Sequence, residues 1–432
     1  MSGIAFLSAC AGSPPVGEPL NDIAHDYVRL ALEIDAHEPG YVDAYFGPDS
    51  WREEARRLPR DQKTLKVEAD RLKSELARFH SDDPETAQRA KVLLADVSSA
   101  RFRLDMIGGA RAPFVEEAEK LFALKPQLKP LKYYDEALKR IAALAPGDGP
   151  LADRVEEFRR RYSIPEDRVT AVMDAAIAEC RKRTLAHIPL PEGENFKMEL
   201  VKNKPWGAYN YYKGQNQSLI QINTDLPVQI GNALILGCHE GYPGHHVQGI
   251  FNEKAYRERG WPEFSIAPLY SPAAPLNEGG ADFGVELAFP GADRLKFEQD
   301  VLYPLAGLDP KTAPAYDAMR SAQDDLEGAQ LTIAQMFLDG QINRSEAISL
   351  NEKYRLVARD VAEQALTFVD SYRSYVINYQ SGEDVVRAYV DRAGADPDAR
   401  WAAYLRIISQ PTLASDLVPP ASQPRHSGAQ VK

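Results

Sequence analysis

The stretch "ALILGCHEGYPGHHVQGIF", residues 233–251, decides how this chain is interpreted. It contains His239, His245 and His246, three of the eight histidines of the chain, and Glu240 follows the first of them. The residues around them are those of an apolar helix, in which a polar side chain is costly to bury without a partner. Imidazole and carboxylate groups clustered in this way are typical of a metal site, so the sequence predicts one here.

The spacing of these histidines does not suit a regular helix. At about 100° per residue, His245 points about 120° away from His239, whereas His246 shares its face but lies about 10.5 Å further along the axis. Pro243 lacks the amide hydrogen of a continuous helix, and Gly244 tolerates unusual dihedral angles. The sequence therefore predicts a widened turn at Pro243-Gly244, such as a π-type bulge, that brings His245 to the face of His239.

A second segment, "NEGGADFGVEL" at residues 277–287, supplies carboxylates from a later helix. Glu278 and Asp282 are four residues apart and therefore share one helix face. This spacing predicts Glu278 as a third metal ligand and Asp282 as the partner that orients a ligand histidine. Two histidines and one carboxylate are a common ligand set of catalytic zinc, which keeps a further position for water.

The composition is that of a globular protein with an acidic balance. Among the 432 residues, 51 Lys and Arg stand against 63 Asp and Glu, a formal net charge of −12. This charge disfavours contact with phosphate backbones, so nucleic acid is not an expected partner. No run approaches the roughly 18 apolar residues of a membrane-spanning helix, so the body of the protein is not expected to cross a membrane.

Helical periodicity covers most of the chain. Leu65, Leu72 and Leu76, for example, form one apolar stripe behind Asp61, a residue type that caps helices. Between residues 187 and 227, alternating and aromatic residues with Gly and Asn turns predict a small antiparallel sheet. The sequence thus predicts a mainly α protein in four parts. These are a signal remnant and linker (1–20), a helical N-terminal lobe (21–190), a catalytic lobe that holds the metal (191–415) and a disordered tail (416–432).

The three cysteines are too few and too scattered to predict a disulfide framework or a thiolate zinc site. Cys180 ends the apolar series of a helix and is predicted to lie in the core. Cys10 differs, because "LSAC" at residues 7–10 and the small residues after it resemble the end of a bacterial lipoprotein signal. The resemblance implies a lipid anchor at Cys10 and a place in the cell envelope or periplasm.

The residues before Cys10 depart from a complete signal. Only nine precede it and none is basic, whereas secretion signals have about 15–30 residues and a charged start. We therefore expect an in-frame start further upstream. The alternative is the disordered N-terminus of a cytoplasmic protein.

Four motifs carry a resemblance to a known family. They are "GYVDAYFGP" (40–48), "HEGYPGHHVQ" (239–248), "NEGGADFG" (277–284) and "YQSG" (379–382). They resemble the bacterial domain of unknown function 885 family, predicted zinc peptidases related to the gluzincins. The resemblance implies a large helical, gluzincin-like metallopeptidase fold with a cleft and one small antiparallel sheet before the metal-binding helix.

The resemblance also implies site residues. It places one zinc ion per chain on His239, His245 and Glu278, with Glu240 as the general base. It assigns Tyr379, the first residue of "YQSG", to the oxyanion of the reaction.

Two of the site residues have alternative interpretations. Tyr379 recurs with Tyr372 and Tyr375 near helical spacing, so the three tyrosines are alternatively predicted to line a core. His246 follows a predicted metal ligand, so it is expected to bond either a substrate group or a carboxylate that supports the ligands.

Together these residues predict a zinc-dependent peptidase that hydrolyses small or unstructured peptides with metal-activated water. A hairpin formed by "WGAYNYYKG" (206–214) and "QINTD" (221–225) offers an edge strand to such a peptide, or its tyrosines simply cover the core. Two alternatives remain open. One is a zinc hydrolase of a non-peptide amide or ester, and the other is a non-catalytic, lipid-anchored binding protein.

Overall fold

The structure, a computed structural model, describes residues 19–204, 207–225 and 227–418. The predicted signal remnant with Cys10 lies outside these residues up to position 18, as does the predicted tail from position 419.

The described residues form a mainly helical protein, which confirms the predicted fold class. The helices of the first half are α1 Pro19–His37, α2 Asp49–Arg57, α3 Gln62–Leu76, α4 Pro84–Ile107, α5 Phe114–Phe122, α6 Asp135–Leu144, α7 Leu151–Arg160 and α8 Val169–Leu185. Those of the second half are α9 Asn232–Leu236, α10 His245–Arg259, α11 Ala274–Ala288, α12 Asp293–Phe297, α13 Tyr303–Ala306, α14 Ala313–Asp324, α15 Gly328–Leu338, α16 Arg344–Arg355, α17 Arg359–Tyr372, α18 Gln380–Asp391, α19 Pro397–Ser409 and α20 Ala414–Leu417.

Short 3-10 and π-helical segments connect several of these helices. The 3-10 segments are Leu131–Tyr134, Glu166–Arg168, Pro262–Ser265, Pro310–Thr312 and Arg373–Asn378, and the π-helical segments are Gly237–Gly241 and Glu298–Leu302.

Helix α3 shows how the sequence specifies these helices. Leu65, Leu72 and Leu76 are buried along one face, as their spacing predicts. The side chain of Asp61 accepts a hydrogen bond of 2.7 Å from the backbone nitrogen of Thr64 and so caps the first turn.

Two small sheets accompany the helices. The sheet predicted before the candidate metal-binding helix contains β2 Asn195–Val201, β3 Ala208–Gly214 and β4 Gln217–Asn223, in the order β2-β4-β3. The hairpin of β3 and β4 is antiparallel, as predicted, whereas β2 joins β4 in parallel. A second, antiparallel pair, β1 Val42–Tyr45 with β5 Ile266–Pro268, was not predicted because its two short strands lie far apart in the chain.

A disulfide bond corrects the interpretation of the cysteines. Cys180 on α8 is fully buried, as predicted, but it is bonded to Cys238, 58 residues later. The bond joins α8 to the π-helical segment Gly237–Gly241, which contains His239. Cysteine spacing alone does not reveal a bond between two residues so far apart in the sequence.

Helices α11 and α18 approach each other closely at two glycines. A Cβ atom on Gly279 would lie 2.0 Å from the carbonyl carbon of Gly382, and one on Gly382 would lie 2.0 Å from the oxygen of Pro275. Neither position therefore has room for a side chain. The contact brings the start of α18, and with it Tyr379, next to Glu278.

Within the described residues, no helix is both long enough and apolar enough to span a bilayer.

Candidate metal centre

The π-helical segment Gly237–Gly241 carries both His239 and Glu240. The helix is interrupted after it, since Tyr242 is extended and α10 begins only at His245. A π-type widening is therefore present as predicted, but it precedes Pro243-Gly244, where the helix breaks instead of continuing.

Gly244 makes this break possible. Its backbone nitrogen donates to the oxygen of Cys238 at 3.0 Å, and a Cβ atom on it would lie 1.8 Å from the oxygen of His239. Only glycine fits this close backbone contact. Because of the break, α10 begins at His245, and the side chain of His245 lies beside that of His239. The centres of the two imidazole rings are 4.7 Å apart.

Three side chains converge at this point. His239, His245 and Glu278 each offer one ligand atom, and these atoms lie within 4.8 Å of one another. The Nε2 atoms of the two histidines lie 3.6 and 3.7 Å from Oε2 of Glu278. It is the one such group of His, Cys, Asp or Glu in the part of the chain that the structure describes.

Each of the three converging side chains is held by a further residue. Nδ1 of His239 lies 2.7 Å from Oδ1 of Asp282, and Nδ1 of His245 lies 2.9 Å from Oε1 of Gln248. The second oxygen of Glu278 accepts a hydrogen bond of 2.9 Å from the hydroxyl of Tyr375. These bonds leave the two Nε2 atoms and one carboxylate oxygen facing a common point, which is the arrangement that a metal ligand set requires.

The charges of the centre interact strongly. Burial lowers the pKa of His245, but the hydrogen bond and charge of Glu278 outweigh it and raise the pKa to about 10. Burial raises the pKa of Glu278, but the two histidines outweigh this effect and lower the pKa below its ordinary value. Glu278 is therefore ionised at neutral pH.

Glu240 lies beside the convergent group with an unused carboxylate oxygen. It is 5% exposed, and its Oε2 has no hydrogen-bond partner among the described residues. Burial raises the pKa of Glu240. Its backbone oxygen accepts a hydrogen bond of 2.6 Å from Nδ2 of Asn210, and this bond fixes the π-helical segment against β3. A buried oxygen without a partner is costly, so this geometry suits a group that receives a proton from a molecule in the site.

The three tyrosines at 372, 375 and 379 do not all line a core. Tyr375 is buried and bonds Glu278, whereas Tyr379 is 39% exposed and its ring lies 6.2 Å from that of Tyr375. No described residue accepts the hydrogen of the Tyr379 hydroxyl. Desolvation by the surrounding walls, and then the charges of Glu278 and Asp282, raise the pKa of Tyr379, so its hydroxyl stays a neutral donor.

His246 does not face the site. It has no exposed surface; its Nδ1 lies 2.8 Å from Oγ of Ser218 and its Nε2 lies 3.0 Å from Oε2 of Glu194. Of the two predicted roles, contact with a substrate does not fit a fully enclosed ring. The carboxylate that it bonds, Glu194, also bonds Tyr242 and Arg181, so His246 fastens the start of α10 to the sheet.

Several residues of the centre were not predicted from the sequence. Gln248 lies three residues after His245, one helical turn away, and this spacing was the available signal. Asn210 and Tyr375 come from distant parts of the chain, and only the fold brings them to Glu240 and Glu278.

The wall next to Asp282 is acidic. Burial, and then neighbouring carboxylates, raise the pKa values of Glu327 and Glu383 to about 8. Asp324 and Asp384 add to the same negative field. Carboxyl groups with such pKa values are mostly protonated at neutral pH, so Glu327 and Glu383 add little negative charge to this side of the site.

Comparison with solved structures shows the fold. The chain is similar to a Colwellia psychrerythraea protein described as a "putative lipoprotein", with a TM-score of 0.59 and 11% identity over 92% of this chain and 97% of that one. A Shewanella oneidensis "putative lipoprotein of unknown function" aligns with a TM-score of 0.46 and 13% identity over 92% and 82%. No protein-family model and no curated protein matches the chain.

Proposed function

We propose that the chain is a zinc-dependent peptidase of the domain of unknown function 885 family, which hydrolyses small or unstructured peptides. The observation that carries the proposal is the convergence of His239, His245 and Glu278 beside the unpartnered carboxylate oxygen of Glu240.

The donor set fits zinc. Two imidazole nitrogens and one carboxylate oxygen match the ligands of catalytic zinc, and each side chain is oriented by a second hydrogen bond. Among the described residues, Glu278 forms ion pairs with these histidines and with no Lys or Arg. When bound, a zinc ion supplies a Lewis acid that polarises a carbonyl group and lowers the pKa of water.

The remaining residues supply proton transfer and charge stabilisation. Glu240 accepts a proton from the attacking water and passes it to the leaving amine, for which its raised pKa suits it. Tyr379 donates its free hydroxyl to the oxyanion that develops on the scissile carbonyl.

Strand β3 offers a place for the peptide backbone. The strand order β2-β4-β3 leaves one edge of β3 unpaired within its sheet, and Asn210 on this strand bonds the backbone of Glu240. An extended peptide added to this edge would pass beside the general base.

The test is mass spectrometry of products from a diverse mixture of short peptides, with zinc measured in the same preparation. The proposal expects cleavage by the wild type and none by the Glu240→Gln variant. Small non-peptide amides and esters are assayed in parallel. If these compounds are hydrolysed and peptides are not, the protein is a hydrolase of another substrate class and not a peptidase.

A non-catalytic, lipid-anchored binding protein is the second candidate. The observation that favours it is the likeness to a Colwellia protein described as a lipoprotein, together with the "LSAC" sequence that ends at Cys10. Detergent partition and mass spectrometry of the native N-terminus test the anchor. Peptide binding without cleavage in the zinc-loaded protein would favour this candidate over the peptidase.

A further inference from the structure

Asp43 is the irregular residue of the sheet formed by β1 and β5. Val42 pairs with Pro268 and Ala44 pairs with Ala267, so Asp43 is the extra residue of a bulge between the two pairs. Bulges are frequent beside active sites because they re-aim a side chain. Asp43 belongs to the motif "GYVDAYFGP", to which the proposed peptidase mechanism gives no role.

Two strands hold Asp43 next to the candidate metal centre. The hydroxyl of Tyr209 on β3 donates a hydrogen bond to Oδ1 of Asp43. The next residue of β3, Asn210, donates to the backbone oxygen of Glu240. On the other side, the chain continues from β5 into α11, which carries Glu278. Asp43 is therefore linked to the general base through β3 and to a metal ligand through β5.

The charge of Asp43 has no Lys or Arg partner among the residues that the structure describes. Glu38, nearby in the sequence, pairs with Arg103, and Asp35 accepts bonds from backbone nitrogens of the following turn. Asp43 is exposed, and in the described ranges of the chain no Lys or Arg pairs with it and no donor bonds its Oδ2. Desolvation raises the pKa of Asp43 and the charge of Glu278 adds to this, whereas the hydrogen bond from Tyr209 and the charge of His245 oppose it.

We infer that Asp43, oriented by Tyr209, forms a subsite for a positively charged nitrogen of the substrate. An ammonium group has three donors and no acceptor. Oδ2 of Asp43 accepts one of these hydrogens. The hydrogen bond from the Tyr209 hydroxyl holds Oδ1, and so orients the carboxylate. The inference rests on the proposed peptidase function and specifies its substrate as a peptide whose free amino terminus or basic side chain reaches Asp43.

Two peptide series test the subsite. The first compares tetra-alanine with a free and with an acetylated amino terminus. The second compares acetylated tetrapeptides in which Lys or the uncharged norleucine occupies each position in turn. Binding is measured by calorimetry on zinc-loaded Glu240→Gln protein, so that turnover is not needed, and hydrolysis is measured on the wild type.

The charged member of one series is expected to bind about 10–100-fold more tightly, as a charge-assisted hydrogen bond predicts. Asp43→Asn, added to the Glu240→Gln protein, should abolish this preference while zinc content and melting temperature stay unchanged. Preference in the first series identifies the amino terminus, and preference in the second identifies a side chain. Asp148→Asn, which changes an exposed acid in a loop, is the matched control and should keep the preference.

Tyr209→Phe is a second variant for the case in which Asp43→Asn does not fold, and it should reduce the preference by a smaller factor. Equal affinity for charged and uncharged peptides, or a preference that survives Asp43→Asn, would overturn the subsite. If the subsite is overturned in this way but the wild type hydrolyses the peptides, the peptidase function stands and only the subsite fails. If no peptide is bound or cleaved, both proposals fail.

Discussion

Nδ1 of His239 lies 2.7 Å from Oδ1 of Asp282, and this contact directs Nε2 of the same ring towards Glu278. The carboxylate fixes which nitrogen carries the hydrogen and so keeps the other nitrogen free as a ligand. Asp282→Asn is therefore expected to weaken zinc binding by about 10–100-fold. Competition with a chelator of known affinity measures the change. Unaltered affinity, with Asp148→Asn as the comparison, would show that the contact does not orient a ligand.

Replacement of Glu240 should separate metal binding from proton transfer. Glu240→Gln keeps the shape of the side chain but cannot accept the proton of water, so turnover should fall by about 10²–10⁴-fold. Zinc content should stay at the wild-type level because Glu240 is not among the three converging ligands. A variant that loses zinc along with activity would instead place Glu240 among the ligands.

The two tyrosines near the carboxylates should have different effects. Tyr379→Phe removes a donor that helps only when the oxyanion forms, so kcat and kcat/KM should fall together by about 10–10³-fold. Tyr375→Phe removes the hydrogen bond to Glu278 and should weaken zinc binding instead. If Tyr379→Phe leaves kcat unchanged, its hydroxyl has no role in the reaction. Each variant is the control for the other.

The adjacent histidines of α10 should also separate. His245→Ala should lose most of the bound zinc, because two protein ligands remain. His246→Ala should keep the zinc but lower the free energy of unfolding by about 1–3 kcal/mol, since it removes two buried hydrogen bonds, to Ser218 and to Glu194. Metal analysis and urea unfolding of both variants decide the matter. The reverse pattern of zinc loss would refute the role assigned to the break at Gly244.

Stability should depend on pH through Asp96. Burial, and then the charge of Glu263, raise the pKa of Asp96 to about 8, whereas an unfolded chain has an Asp pKa of about 3.9. Between these values the folded state holds a proton that the unfolded state has released, so this contribution to stability falls as the pH rises from about 4 to about 8. Asp96→Asn should remove that fall. Melting temperatures at pH 5 to 8.5 for both proteins measure it, and parallel curves would contradict the assignment.

The sequence predicts those features of the fold that are local. The stripe of Leu65, Leu72 and Leu76 and the cap at Asp61 act within a few residues, and α3 forms as they predict. Strands β1 and β5 are four and three residues long and pair across more than half of the chain, so no local pattern reveals them. Strand β2 lies within the predicted sheet region, but its parallel pairing with β4 was not predicted, because a local pattern does not fix the direction of a strand.

For the candidate centre, the sequence spacing predicted one site formed by four residues, His239, His245, Glu278 and Asp282. The fold places these four side chains together. The π-helical segment was expected within a few residues of its position, because Pro243 rules out a regular helix. The contacts that hold the centre from outside were not predictable. They come from Asn210 and Tyr375, in distant parts of the chain that share no periodicity with α10.

The bond between Cys180 and Cys238 has a consequence for how the protein is produced. Disulfides persist in oxidising compartments, whereas the glutathione and thioredoxin systems of a bacterial cytosol keep thiols reduced. Material expressed in such a cytosol would carry two free thiols in its core, one of them next to His239. Thiol titration before any metal analysis therefore shows which form has been purified, and secretion to an oxidising periplasm gives the bonded form.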